Sequence, residues 1–337
     1  MANFDVVSIG GAVRDFTFFT DQGRVFYTPE NLTSQRMLAF EYGAKINPKE
    51  VSLTFGGGGS NSAVAFSRLG LKTAIISRVG NDEIGREVIN NLTREKIDVS
   101  YLQTDSKAPT GLSFLIATDK KEREHIGFAY RGASQNLIFN SQQAKNLSSQ
   151  WFYLTSLSGK DWPKNLKEIF FLAKSKGIKI MWNPGNFQLQ AGKRALEEYF
   201  KQTQVLIVNK DEAIELALSG IKLGKRNPNF LNKPIYLLNI LQEWGPKLVI
   251  LTDGKKGAWA YDGRTIYHQK IIKSKAINTV GVGDAFGSAF LAGLIVEKNE
   301  IKKALKWGMG NSAAVLTKMG AQNGLLVRKK LLDKIKL

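Results

Sequence analysis

The chain has 337 residues, 43% of them hydrophobic, and carries 48 Lys and Arg against 29 Asp and Glu for a formal net charge of +19. That length holds one large or two modest domains with a substantial core. With no cysteine and only two histidines, disulfides, thiolate metal sites and cysteine nucleophiles are excluded, and serine triads and zinc centres have almost no residues to draw on.

The first residues, Met1 to Asp5, lack the basic head and apolar run of a secretory leader, and the longest uncharged stretch, 51–67, is broken by four consecutive glycines. Neither export nor a membrane span is expected, which places the protein in the cytoplasm. A β-branched run at 5–9 is the first predicted strand. After Gly10 and Gly11 comes Asp15, then a predicted hairpin of 16–19 and 24–28 around Asp21-Gln-Gly23. The run Gly56-Gly57-Gly58-Gly59 leads into a helix over 60–69 that Ser60 can cap and Gly70 stops. A strand at 73–77 follows, and then a second hairpin of 112–117 and 125–130 around 119–122. Further strands are predicted at 151–154, 178–182, 205–208 and 248–251, with a helix from Pro163 to Gly177 between the first two. These strands are apolar on both faces and alternate with amphipathic stretches, the pattern of an α/β fold with a doubly wound, mainly parallel sheet and helices on both faces. The two hairpins break that rhythm and read as a small cover over the cleft at the carboxyl ends of the strands. No repeat or linker divides the chain, so 1–337 reads as a single domain.

The excess of positive charge invites a nucleic-acid reading through counterion release. Residues 301–337 alone hold nine Lys and Arg against one acidic residue, without interleaved aromatics or a binding motif. This reads as basic decoration of terminal helices, and no nucleic-acid partner is expected.

The strongest chemical signal is the segment Asn278-Thr-Val-Gly281-Val282-Gly283-Asp284, followed by Phe286, Ala289, Phe290 and Gly293 at helical spacing. A glycine loop entering a buried helix offers the amides of Gly281, Val282 and Gly283, with the helix dipole, to an anion. Asp284 in the first turn either stabilises the helix end or acts as a base toward an attacking hydroxyl, and the spacing leaves both open. A dinucleotide fingerprint is the wrong context, since this loop lies late in the chain behind a basic stretch, and no Walker-type loop occurs. At the other glycine run, Gly57 permits close backbone approach to a polyol and Asn61 can donate to and accept from hydroxyls. Asp15 follows the carboxyl end of a strand, where ligands of such sheets bind, or is a solvated loop acid.

Together these segments resemble the ribokinase-like (PfkB) carbohydrate kinases. The resemblance rests on Gly56 to Ala63 with Gly70 and Gly80, on Asn81 to Gly85, on Asn209-Lys-Asp-Glu212, on Thr252-Asp-Gly254-x-x-Gly257, and on the Asn278 to Leu291 segment. Their order agrees over residues 4 to about 325. The resemblance implies an ATP-dependent kinase that transfers the γ-phosphoryl group to a hydroxyl of a small sugar, ribose- or fructose-like, or alternatively of a nucleoside. In it Asp284 is the general base and Gly281, Val282 and Gly283 the anion hole. Asp15, Gly57 and Asn61 hold the acceptor; Asn209, Thr252, Gly254 and Gly257 bind the nucleotide; Glu212 and Asn209 organise Mg²⁺ through water. The hairpins become lid strands, inserted at about 14–54 and 107–131, through which a homodimer can form. A nucleoside base slot could draw on Phe16, Phe18, Phe114 and Phe128, which strand packing explains equally.

Val282 replaces the usual small residue between the loop glycines, and Asn278 replaces the more common Asp where many members bind a monovalent cation, which argues against K⁺ activation. Residues 29–54 read as an insertion that reshapes the acceptor pocket or a subunit contact. The contrasting class is a non-catalytic sugar sensor or basic nucleic-acid binder on this scaffold; a pure binder has no need of Asp284.

Overall fold

The computed structural model describes residues 3–28, 30, 32, 36–117, 125–142, 144–224 and 227–336. In chain order these form β1 (Asn3–Ile9), β2 (Val13–Phe19), β3 (Arg24–Tyr27), β4 (Arg36–Ala39), β5 (Glu50–Gly56), α1 (Gly58–Arg68), β6 (Thr73–Ile76), β7 (Arg78–Gly80) and α2 (Glu83–Arg94). Next come β8 (Gln103–Asp105), β9 (Leu112–Ala117), β10 (His125–Tyr130), β11 (Ser148–Leu154), α3 (Trp162–Lys176), β12 (Lys179–Trp182) and α4 (Asn186–Phe200). The remainder is β13 (Val205–Asn209), α5 (Lys210–Gly220), α6 (Pro234–Glu243), β14 (Leu248–Thr252), β15 (Ala258–Tyr261), β16 (Ile266–Gln269), α7 (Val282–Val296), α8 (Ile301–Val315) and α9 (Arg328–Lys336).

Eight strands make the main sheet in the order β16-β15-β14-β13-β12-β11-β1-β6. It is parallel from β6 to β14 and ends in the antiparallel pair β15 and β16. Alternate residues of each strand feed opposite cores, as the period of two requires. Phe152, Leu154, Ile180, Trp182 and Val208 pack under α3 to α6, while Trp151, Tyr153, Met181, Val205 and Ile207 pack under α7 and α8. Each such fully buried large side chain contributes on the order of 1.5–3 kcal/mol. This is the expected doubly wound α/β architecture. The helix predicted from Pro163 to Gly177 is α3; Gly177 takes the left-handed conformation at φ 65°, and the Ile178 amide closes back onto the Ala173 carbonyl at 2.8 Å.

A second, four-stranded sheet lies beside it in the order β10-β9-β2-β5. The expected pairing of 112–117 with 125–130 is present as β9 and β10; its turn, 119–122, lies outside the described residues. The other expected hairpin is not formed. β2 pairs along its whole length with β5 on one side and β9 on the other, whereas β3 pairs with β4. The end of segment 29–54, residues 50–54, therefore belongs to the strand that completes the small sheet, since Phe16 to Phe18 gain their cross-strand neighbours from Val51 to Leu53 rather than across the Asp21-Gln-Gly23 turn. Ser60 is not the cap of α1 either. The helix begins two residues earlier behind Gly57, and the Ser60 hydroxyl is turned inward to accept from Gln322 at 2.9 Å. Among the described residues no helix is long and apolar enough to cross a membrane.

Candidate active site

β1 lies where the strand order reverses, with β6 on one side and β11 on the other, so the loops leaving β1 and β11 open a crevice at the carboxyl edge of the sheet. From β1 the chain crosses Gly10 and Gly11 into β2, which carries Asp15 in register with Thr54 of β5 and Ser113 of β9. Asp15 is only 3% exposed. Burial pushes its carboxyl up to about 7, the charge of Asp284 adding to the effect and a Ser113 hydrogen bond and Arg14 opposing it. Gly56 makes the room, because a Cβ there would run into the Asp15 carboxylate.

The start of α1 brings Asn61 to the same place. Its Nδ2 donates to Asp284 Oδ2 at 2.8 Å, while its Oδ1 accepts from Gln322 Nε2 at 3.1 Å. Gln322 also accepts from Asn91 Nδ2 at 2.9 Å, and its carbonyl accepts from Arg68, which is itself paired with Glu95. Gln322 thereby decides which end of the Asn61 amide faces the carboxylate. Nothing in sequence reasoning singled it out; the signal present was a polar residue within the tight turn Gly320-Ala-Gln322-Asn-Gly324.

Asp284 sits in the first turn of α7, behind Gly281, which caps the helix at φ 74° with a packing so close that a Cβ would strike Ala321. First-turn amides of α7 face outward without intrahelical acceptors. Of the three expected in the anion hole, that of Val282 also leans toward Thr279 O at 3.5 Å. Asn278 braces the loop by accepting from the Val280 amide at 3.1 Å. Burial raises the Asp284 carboxyl above its ordinary value, against the pull of the Asn61 hydrogen bond. Near it lies the buried Tyr153 hydroxyl, its proton held more tightly because of burial and the nearby Asp284 charge, against a Ser62 hydrogen bond.

At the ends of β13 and α5, Asn209 and Glu212 cap each other. The Asn209 amide donates to Glu212 Oε2 at 2.8 Å and the Glu212 amide to Asn209 Oδ1 at 2.9 Å. Burial lifts the Glu212 carboxyl to about 7, opposed by that amide and helped by Glu215, Asp211 and Asp284. One oxygen is engaged in the cap, and the carboxyl lies near the negative charges of Glu215, Asp211 and Asp284, an arrangement a hydrated divalent cation fits. No cluster of three potential metal-ligating side chains occurs among the described residues, so such an ion would keep most of its water.

Two cavities adjoin the glycine segments that lead to these groups, and Asp15, Asn61 and Asp284 line neither of them. One, of about 110 Å³, is lined by Gly11, Gly57, Ser113, Arg131, Thr155 and Ser156 among others. The second, of about 150 Å³, is lined by Thr252, Gly254 and Gly257 with Phe286, Met309 and Leu316, and by Val282 and Gly283 at its edge. Three of the four residues predicted for the nucleotide, Thr252, Gly254 and Gly257, thus share one apolar slot that Asn209 does not line, and sequence reasoning did not identify its walls from α7 and α8. Phe16 and Phe114 stack on each other across β2 and β9 at 5.3 Å; none of Phe16, Phe18, Phe114 and Phe128 lines either cavity.

The family model described as pfkB family carbohydrate kinase matches residues 5–328. Ribokinase of Haemophilus influenzae is 27% identical over 301 residues, covering 86% of this chain and 90% of that protein. Among solved structures, Arabidopsis thaliana ribokinase complexed with ribose and ATP superposes with a TM-score of 0.79 at 18% identity, covering all of both chains. The nucleoside kinase of Burkholderia thailandensis in complex with inosine gives 0.78 at 15% identity, covering 98% of this chain and 97% of that one. At these identities the structural likeness establishes the fold.

Proposed function

The chain belongs to the pfkB family of carbohydrate kinases and is accordingly an ATP-dependent kinase; from that premise we propose that it phosphorylates a small sugar-type acceptor with Asp284 as general base. The observation that carries this reading is the Asn61–Asp284 contact, which orients a buried carboxylate directly after the Val282 and Gly283 edge of the apolar cavity. An acceptor hydroxyl gives its proton to Asp284 as its oxygen bonds to the γ-phosphorus; the bond from phosphorus to the bridging oxygen breaks, and ADP leaves with the electron pair. Amides of Gly281, Val282 and Gly283 steady the phosphoryl oxygens. Asp15 and Asn61 hold acceptor hydroxyls, with Gly57 giving close backbone approach. Asp15, half protonated near pH 7, can donate as well as accept. Thr252, Gly254 and Gly257 support the nucleotide, with Asn209 nearby. When bound, Mg²⁺ held through water by Glu212 and Asn209 would neutralise phosphate charge.

A sugar is favoured over a nucleoside by the hydroxyl-rich lining of the smaller cavity and by the packing of the Phe stripe within its own sheet. The small sheet serves as the lid, and its exposed Val51, Leu53 and Phe128 suit a lid-to-lid homodimer, which sedimentation would test. ATP as co-substrate agrees with a cytoplasmic setting. A coupled ADP-release assay tests the central claim. Asp284→Asn is expected to lower acceptor-dependent kcat by about 10²–10⁴-fold while retaining ATP binding; undiminished turnover would refute the assignment.

A further inference from the structure

β10 forms an outer edge of the small sheet. Five of its six residues are exposed, while His125 at its start is half-buried. The His125 ring reaches the loop that leads into α7: its Nδ1 is hydrogen-bonded to Thr279 Oγ1 at 3.0 Å, between residues 154 positions apart in the chain. A hydroxyl can donate or accept, so the contact holds with either neutral tautomer. The small sheet is thereby tied to the segment that carries the proposed anion hole.

That segment is fixed from behind. The Ile277 and Asn278 amides donate to Leu316 O at 2.6 and 3.2 Å, the Val280 amide donates to Asn278 Oδ1 at 3.1 Å, and Gly281 packs against Ala321. Thr279 stands among these anchors and faces two ways. Its hydroxyl meets the small sheet, while its carbonyl is the acceptor toward which the Val282 amide leans at 3.5 Å. Thr279 to Val282 are the four residues of a β-turn, and Gly281 in third place has φ 74° and ψ 5°, as a type II turn requires. The turn is open, because a settled N–H···O bond spans roughly 2.9–3.0 Å, and the Val282 amide is still available to a phosphoryl oxygen. Moved about 0.5 Å inward, the Thr279 carbonyl would take that amide and the hole would lose a donor.

Resting on the kinase and lid readings above, we propose that His125 is a positioning residue for phosphoryl transfer, which by holding the Thr279 hydroxyl keeps the 279–282 turn open and the Val282 amide free for the phosphoryl oxygens. The hole is then complete when the small sheet is shut over the cleft. With the sheet swung away the turn closes on itself and the donor is withdrawn, which slows the loss of ATP to water before an acceptor is enclosed. His125 touches no reacting atom and exchanges no proton with the substrate; the transfer remains the one already described.

The test uses His125→Phe and Thr279→Val, which remove the hydrogen bond, their double variant, and His125→Asn and Thr279→Ser, which keep a polar partner within reach. Transfer to ribose and to fructose is followed by ADP release, and amide hydrogen exchange of the whole protein is followed at 125–130 and 279–283. Each disruptive variant should lower kcat about tenfold or more with the KM for ATP within about twofold, since the lost donor acts on the phosphoryl group in flight. The double variant should be no slower than the slower single one, and the two conservative variants should keep about half or more of the wild-type kcat. Exchange at both segments should rise together in either disruptive variant. Losses that multiply in the double variant, a loss confined to KM, failure of Thr279→Ser to keep kcat, or faster exchange at one segment alone would each overturn the proposal. If the wild type turns over neither sugar while the two segments still open together, the sugar-kinase reading fails and the latch between small sheet and loop stands.

Discussion

Replacing Asp15 by Asn removes a buried charge while leaving the side chain's shape almost intact. The native carboxyl is displaced from 3.8 to about 7, chiefly by burial, which at about 1.4 kcal/mol per pH unit corresponds to roughly 4 kcal/mol. Because the folded value lies above the unfolded one, the cost is absent well below pH 4, grows as the unfolded chain ionises, and is complete above about pH 7. Relaxation around the site and the lost Ser113 hydrogen bond will take back part of this, so Asp15→Asn should be about 2–4 kcal/mol more stable than wild type at pH 8. For a chain of this length that is a rise in Tm of about 3–6 °C, shrinking toward zero near pH 4. Paired thermal melts of wild type and variant across pH 4–8 measure it directly. The same variant should lose acceptor affinity at least tenfold with the KM for ATP unchanged, making the charge a cost to the fold that is retained for binding. Parallel stability curves at every pH would show that Asp15 is not strained by burial and would refute the reasoning.

Acidification should give an activity limb set by Asp284: only its ionised form accepts a proton, and because burial raises its pKa, acceptor kcat/KM should fall at a pH above the ordinary Asp range. A pH–rate profile flat down to pH 4 would contradict this. Gln322→Leu strands the Asn61 and Asn91 amides, so stability should drop by about 1–3 kcal/mol and kcat should fall more than the KM for ATP rises, as denaturant melts and initial rates would show. Met309→Trp projects into the 150 Å³ slot and should raise the KM for ATP tenfold or more while the acceptor KM stays within about twofold.

The central strands were legible because β1, β6 and β11 to β14 are apolar on both faces, a pattern that only a covered parallel sheet produces. β5 and β16 escaped because their burial alternates with exposure and one of them lies in a segment that read as an insertion. The pairing of β2 with β5 was missed for a different reason: Asp21-Gln-Gly23 is a plausible local turn, and long-range packing overrode it. Asp284 could be found from its place behind a glycine loop at a helix start. Gln322 acts through Asn61, 261 residues away in the chain, a relation no local pattern carries.

The two cavities have no lining residue in common. One draws on β9, β10 and the loops after β1 and β11; the other on the end of β14 with α7 and α8. On the proposed assignment of one cavity to the acceptor and the other to ATP, substitutions that alter which small molecule is taken up can accumulate on one side without disturbing the other, and a lineage can change its diet while inheriting its energy currency unaltered.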